Sequence, residues 1–239
     1  MRLILSILFS VPAIASAAVV TFQNGVNGYA GEQDAFMSSS SPFSHFEGAT
    51  IPVSNNGTSL MRPLLRFDLS SFAGQYSDIA SVTLTLSKGD VDFGTNTANL
   101  HEVSALNGDW VATSFNWNTK DGTTAWDGGG GLGTTGFGPT LASQSWTSTT
   151  PALVFTITGT AALSLINDFT TGNNEGFILT AANETTGSNT YYFAADTFAT
   201  ASSRPELSIT YTPTPEPSSA FLLIAGLAGF TQCRIRRKS

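Results

Sequence analysis

Val82-Thr83-Leu84-Thr85-Leu86 alternates apolar and polar side chains at period two, and Leu207-Ser208-Ile209-Thr210-Tyr211 does so again near the other end of the chain. A strand points successive side chains to opposite faces, so this spacing specifies strands with one face buried and one in water. Rougher runs of the same kind lie at 19–22, 34–37, 64–69, 98–103, 153–157, 177–181 and 191–194, separated by clusters of Gly, Asn, Asp and Ser. So many short strands need a second sheet to cover their edges and buried face. The expected fold class is therefore all-β, a jelly-roll β-sandwich with one short helix. That helix is predicted over 161–169, capped by Thr160, with Leu163, Ile166 and Phe169 at three-residue spacing, closing one end of the sandwich. Gly128 to Gly131 and Gly133 make the stretch 120–146 too glycine-dense for a regular element, and it reads as a mobile surface loop.

The two ends follow other rules. Met1-Arg2, an apolar run over 3–13 and Ile14-Ala15-Ser16-Ala17 give the order of a secretory signal peptide, with Ala15 and Ala17 at the cleavage motif and the mature chain expected to begin at Ala18. At the C-terminus Pro215-Glu216-Pro217 precedes an uncharged stretch, about 218–233, followed by Arg234, Arg236, Arg237 and Lys238. The stretch is short for a bilayer core of roughly 20 residues, yet spans if its arginines snorkel, with the basic end cytoplasmic. Residues 213–239 resemble a PEP-CTERM sorting signal. That resemblance implies an exosortase-type processing enzyme and the inner membrane as partners. It also implies anchoring during sorting and delivery to the cell surface or the exopolysaccharide matrix.

Between the ends, 18–212 reads as one domain. It keeps 5 of the 10 basic residues and 16 of the 17 acidic ones, a net charge of −11, which repels phosphate backbones and excludes nucleic acid as a partner. The same charge disfavours polyanionic sugars. The sole cysteine, Cys233, lies in the tail, so no disulfide framework supports the domain.

Several motifs in order carry a second resemblance. They are Pro63-Leu64-Leu65-Arg66-Phe67-Asp68-Leu69-Ser70, then Ile79-Ala80-Ser81-Val82-Thr83-Leu84-Thr85-Leu86, then Trp110 and Asn116-Trp117-Asn118. Asn174-Glu175-Gly176-Phe177-Ile178-Leu179 and Arg204-Pro205-Glu206-Leu207-Ser208-Ile209-Thr210-Tyr211 complete the set. Together they resemble a DNRLRE-type domain, a jelly-roll family related to carbohydrate-binding modules. The chain departs from that pattern at Ala112, where the family usually has glutamate, and at Asn116, where it has threonine. The resemblance implies a non-catalytic polysaccharide-binding or structural module.

Candidate chemistry is sparse. Arg66 and Asp68 flank Phe67 on a predicted strand and are expected to form an ion pair on one face; Arg204 is expected to donate to loop carboxylates. An indole face suits pyranose C–H groups, and Trp126 and Trp146, bracketing the glycine stretch, are the expected carbohydrate-binding residues, while Trp110 and Trp117 read as core. No cofactor is called for. Hard oxygen ligands for a structural calcium are offered by Asp90, Asp92 and Asn96, or by Asp34, Glu184 and Asp196 if the terminal strands converge. With His45 and His101 the only histidines and no nucleophile motif, the catalytic and metal-site assignments are both none. The alternative, a polysaccharide lyase or glycoside hydrolase, requires a pair of buried carboxylates with raised pKa values in one cleft.

Overall fold

The computed structural model describes residues 16–55 and 57–214. Ala15 and the rest of the expected leader lie outside the described residues, as do Pro215-Glu216-Pro217, the apolar stretch and the basic end; Ala17 lies just before the first strand. Among the described residues no helix is long and apolar enough to cross a membrane.

Eleven strands form two sheets. β1 (Ala18–Gln23), β11 (Glu206–Pro213), β5 (Tyr76–Ser87) and β8 (Ala152–Thr158) make one, in the order β1-β11-β5-β8. The other contains β10 (Asn189–Ala194), β3 (Thr50–Asn55), β4 (Leu60–Phe67), β9 (Phe177–Ala181), β6 (Asn96–Val103) and β7 (Phe137–Trp146), in that order. β2 (Glu32–Ser38) pairs with β4 along its whole length. β3 and β9 share the opposite edge of β4: β3 meets it only at Ser54↔Met61 and Asn55↔Leu60, and β9 takes over at Leu64↔Ile178.

The main core lies between the sheets. Val82, Leu84 and Leu86 of β5, Leu207 and Ile209 of β11, and Phe155 of β8 meet Ile51, Val53, Leu65, Leu100 and Leu179 from the facing sheet. The polar partners in the alternation, Thr83, Thr85, Ser208 and Thr210, take the outer face, as period two requires. The larger sheet is covered on both sides. Leu64 and Ile178, each next to a core-facing residue, point outward into a second apolar cluster with Ala35, Met37, Val103, Trp110, Phe115, Trp126 and Leu132. Double cover explains why every residue of β9 is buried and why its sequence does not alternate.

α1 (Gly159–Thr170) packs on β5 and β8 with Ala162, Leu165, Ile166 and Phe169 buried. It starts earlier than expected, because Gly159, at φ 64, lets the chain turn from β8 straight into the helix; Thr158 holds the cap position without a side-chain cap bond.

The glycine stretch lies at the surface over 127–130 and 134–135, as expected, but it does hold a regular element and buries Gly131 and Leu132. Residues 128–133 fold onto the outer face of the larger sheet, and 137–146 form β7. Gly128, Gly129, Gly131 and Gly133 all take positive φ, and a Cβ on Gly131 would fall 2.6 Å from the Trp117 ring. The glycines permit a tight irregular path and close approach to an indole, which is the opposite of a floppy tether.

Candidate functional site

β2 and β4 pair with Gln33 opposite Arg66. Both point to the outer face, where Arg66 reaches past the end of the second apolar cluster and lies 4.5 Å over the Trp110 ring. Its Nη1 donates to Gly108 O at 3.3 Å, and its Nη2 to Gln33 Oε1 at 3.1 Å and Trp110 O at 3.4 Å. Trp110 is fixed in turn by its Nε1 donating to Glu175 O at 2.7 Å. The expected Arg66–Asp68 ion pair is absent: β4 ends at Phe67, so Asp68 leaves the strand register, and its Oδ1 instead accepts the Ser70 N–H at 2.8 Å. Those local hydrogen bonds hold the Asp68 carboxyl below its ordinary value.

These residues line a groove of about 450 Å³ formed by Ala30, Gly31, Gln33, Arg66, Asp68 and Asn174. Asn174 donates to Phe67 O, while its Oδ1, sealed from solvent, accepts nothing. Two further depressions adjoin it. One, of about 190 Å³, shares Gln33 and is lined by Asp34, Glu47 and Asp196; the other, of about 330 Å³, begins at Glu175 and includes Glu102, Phe137 and Asp168. The groove itself offers the Gln33 carboxamide, the Arg66 guanidinium and the Asp68 carboxylate as directional donors and acceptors.

Trp126 and Trp146 are buried and do not line this groove. Trp126 is 3% exposed in the second cluster, with its ring edge-on to Phe115 and its Nε1 donating to Asn116 O at 2.8 Å; Trp146 is 1% exposed in the main core against Tyr191. Their expected exposure is corrected by two different contacts: Trp126 turns into the second cluster, and Trp146 ends β7 facing the main core. Trp110 is core, as expected, and Trp117 is half-buried with the Arg62 guanidinium 5.6 Å from its ring centre.

Neither calcium ligand set assembles. Asp92 is buried and paired with Lys88 at 2.8 Å, while Asp90 is exposed and accepts its neighbour's N–H. Asp34 and Asp196 do meet, through Asp196 N–H to Asp34 Oδ2 at 2.9 Å, but Glu184 is bound elsewhere by Arg62. Among the described residues no three acidic, histidine or cysteine side chains converge on a metal-sized site. Arg204 donates to carbonyls, Phe198 O at 2.8 Å and Asn24 O at 3.2 Å, and not to carboxylates.

Sequence reasoning missed Gln33, Asn174, Glu32 and Glu102 as site residues. Glu32 and Asp34 sit two apart on the inward side of β2, a spacing visible in the sequence. Burial, then the mutual repulsion of Glu32, Asp34 and Asp196, holds the first two carboxyls well above the ordinary range. Glu102 is pushed up to about 7, by burial first and then by Asp168 and Glu175, partners that lie 66 and 73 positions away and leave no local signal.

These shifts fix a sign. Where the native state holds protons that the unfolded chain has released, stability falls as pH rises. Glu32, Asp34 and Glu102 therefore stabilise the fold fully below the unfolded carboxylate values near pH 4 and lose that contribution as pH climbs through their folded values. Asp68 and Asp109, held low, act oppositely below about pH 4. Thermal melts are expected to peak near pH 5 and decline towards pH 8, with Glu102→Gln flattening part of the decline. A melting temperature that rises steadily to pH 8 contradicts this.

No family model matches the chain, and no curated protein is significantly similar to it.

Proposed function

We propose that this is an exported, non-catalytic module of the cell surface or extracellular matrix, a jelly roll of DNRLRE type whose polar groove binds neutral polysaccharide. The observation that carries the binding reading is the groove of Gln33, Arg66, Asp68 and Asn174, held on paired strands with Arg66 immobilised on Trp110. The Arg66 guanidinium shares the groove with Asp68, whose carboxyl is held low, on a body of net charge −11, so the field disfavours acidic sugars. Export is supported by the sequence of the first 17 residues, a basic residue, an apolar run and Ala15-Ser16-Ala17. β1 begins at Ala18, directly after the expected cleavage point. Thr214, whose N–H donates to Gln75 O at 3.0 Å, is tied down directly before Pro215-Glu216-Pro217. The Pro215-Glu216-Pro217 motif, the uncharged stretch after it and the basic end support an exosortase-type enzyme and the inner membrane as sorting partners.

A second reading has its own observation: Glu102, at about 7, shares a depression with Asp168 and Glu175, as a general acid with an auxiliary carboxylate would. This favours a polysaccharide-degrading enzyme. One experiment separates the two. Protein recovered from outside the cell, expected to start at Ala18, is run by affinity electrophoresis through neutral and acidic polysaccharides while new reducing ends are assayed. Arg66→Ala and Gln33→Ala should each weaken retardation several-fold, as expected for loss of hydrogen bonds of about 1 kcal/mol, with neutral polymers favoured and no turnover. Turnover abolished by Glu102→Gln establishes the enzyme instead.

A further inference from the structure

A sheet edge displays unpaired main-chain N–H and C=O groups, and proteins ordinarily cover or blunt it. Here most edges are managed. β10 is covered by the segment after β5: Gly89 N–H donates to Tyr192 O, and Phe93 and Thr190 exchange both main-chain bonds at 2.9 Å. β2 receives Phe46 O on its outer side and carries Glu32 and Asp34 pointing inward. β7 holds Pro139 and a register shift, and it runs alongside β8 at the closed side of the sandwich.

β1 differs. It pairs with β11 from Ala18↔Tyr211 to Gln23↔Glu206, and among the described residues its other edge has no main-chain partner. Its sequence, Ala18-Val19-Val20-Thr21-Phe22-Gln23, contains no charge, proline or glycine and is rich in β-formers. The face it borders carries one charge, Glu206 opposite Gln23, which accepts from Ser208 Oγ at 3.1 Å, and is otherwise uncharged beside β1. Two ranks cross all four strands in register, Val19-Thr210-Ser81-Thr158 and Thr21-Ser208-Thr83-Thr156. Val19, 65% exposed, is the only apolar member of those ranks and stands at their free end.

We infer that the free edge of β1 takes the β1 strand of a second copy of this chain, antiparallel about a two-fold axis at Val20, joining two four-stranded sheets into one of eight. The pairing is self-complementary, as a two-fold contact must be: Val20 lies opposite Val20, and Val19 covers the Thr21 methyl of the partner copy at both ends. It satisfies main-chain groups with no charge to bury, whereas the rest of a body of net charge −11 repels its twin. A charged strand from another protein finds no counter-charge along this edge. One strand pair is smaller than a standard interface, so the association is weak in dilute solution and grows where copies are crowded, as on a surface.

The test is sedimentation velocity of the exported protein over a concentration series, beside Thr21→Lys and Thr21→Glu. Thr21 lies on the exposed face and away from the expected cleavage point. Wild type should shift from monomer to dimer with concentration. Each variant alone should remain monomeric, with an unfolding midpoint lowered only by the lost Thr21–Ser208 hydroxyl contact, and the equimolar mixture of the two should dimerise again through opposed charges. A wild type that stays monomeric throughout, or a variant that dimerises as well as wild type, overturns the inference. The mixture guards against misfolding, since two misfolded variants do not rescue each other.

Discussion

Trp126→Ala is expected to remove about 3–5 kcal/mol of stability, the range for deleting a large aromatic from a packed core. The indole fills the middle of the second cluster, edge-on to Phe115, and its Nε1 satisfies Asn116 O, so truncation leaves both a cavity and a buried carbonyl without its donor. Trp126→Phe should recover much of the packing but not the hydrogen bond. Urea unfolding followed by near-UV signals measures the loss, and polysaccharide retention of the molecules still folded should fall far less than in Arg66→Ala, because Trp126 touches the groove only through Phe115 and Trp110. The contrary outcome, native stability with abolished retention, would return this indole to the surface role that its position beside the glycines suggested.

That contrast marks where the sequence is a good guide. Period two in β5 and β11, and rougher β-rich runs between turn clusters elsewhere, located nine of the eleven strands among the described residues. The two they missed both contain proline. β3 carries Pro52, tolerated because β3 bonds fully to β10 on one side but meets β4 only at its far end; β7 carries Pro139 on an edge, beside a register shift. Their apolar residues are few, and cover from distant segments, not local pattern, keeps them in place. Glycine density misled for a related reason. It reports conformational freedom in an isolated chain, whereas Trp117, Arg62 and the face of β4 convert that freedom into one packed path.

The groove was legible only in fragments. Arg66 stood out, but its pairing did not, since cross-strand neighbours depend on register: Gln33 is 33 positions away and Trp110 is 44. This register also couples the groove to the second cluster. Arg66 rests on Trp110, Trp110 packs edge-on to Phe115, and Phe115 packs on Trp126, so one aromatic chain runs from the groove floor to the glycine segment. Rigidity at the rim therefore depends on packing supplied by 104–136, a segment whose sequence looks the least structured in the domain.

Arg62 should be the most sensitive single residue of that segment's anchorage, and Arg62→Ala is expected to cost about 3–5 kcal/mol, the scale for breaking a buried ion pair. Its side chain is 9% exposed. Nε and Nη2 grip the two Glu184 oxygens at 2.9 and 2.6 Å, in the bidentate geometry that only a guanidinium fork provides. Nη1 donates to Gly131 O at 2.5 Å and Gly133 O at 3.3 Å, and the planar group lies near the Trp117 and Phe137 rings. One residue thus ties β4 to the turn after β9 and to the glycine path. Arg62→Lys keeps charge but not the fork and should recover only a small part. Glu184→Gln retains one acceptor at a site 23% exposed and should be the mildest of the three. Limited proteolysis supplies the local readout: in Arg62→Ala, cleavage within 128–136 should precede loss of the main-core signal. Resistance there, with stability within about 1 kcal/mol of wild type, would mean that the glycine segment is held by its apolar contacts alone.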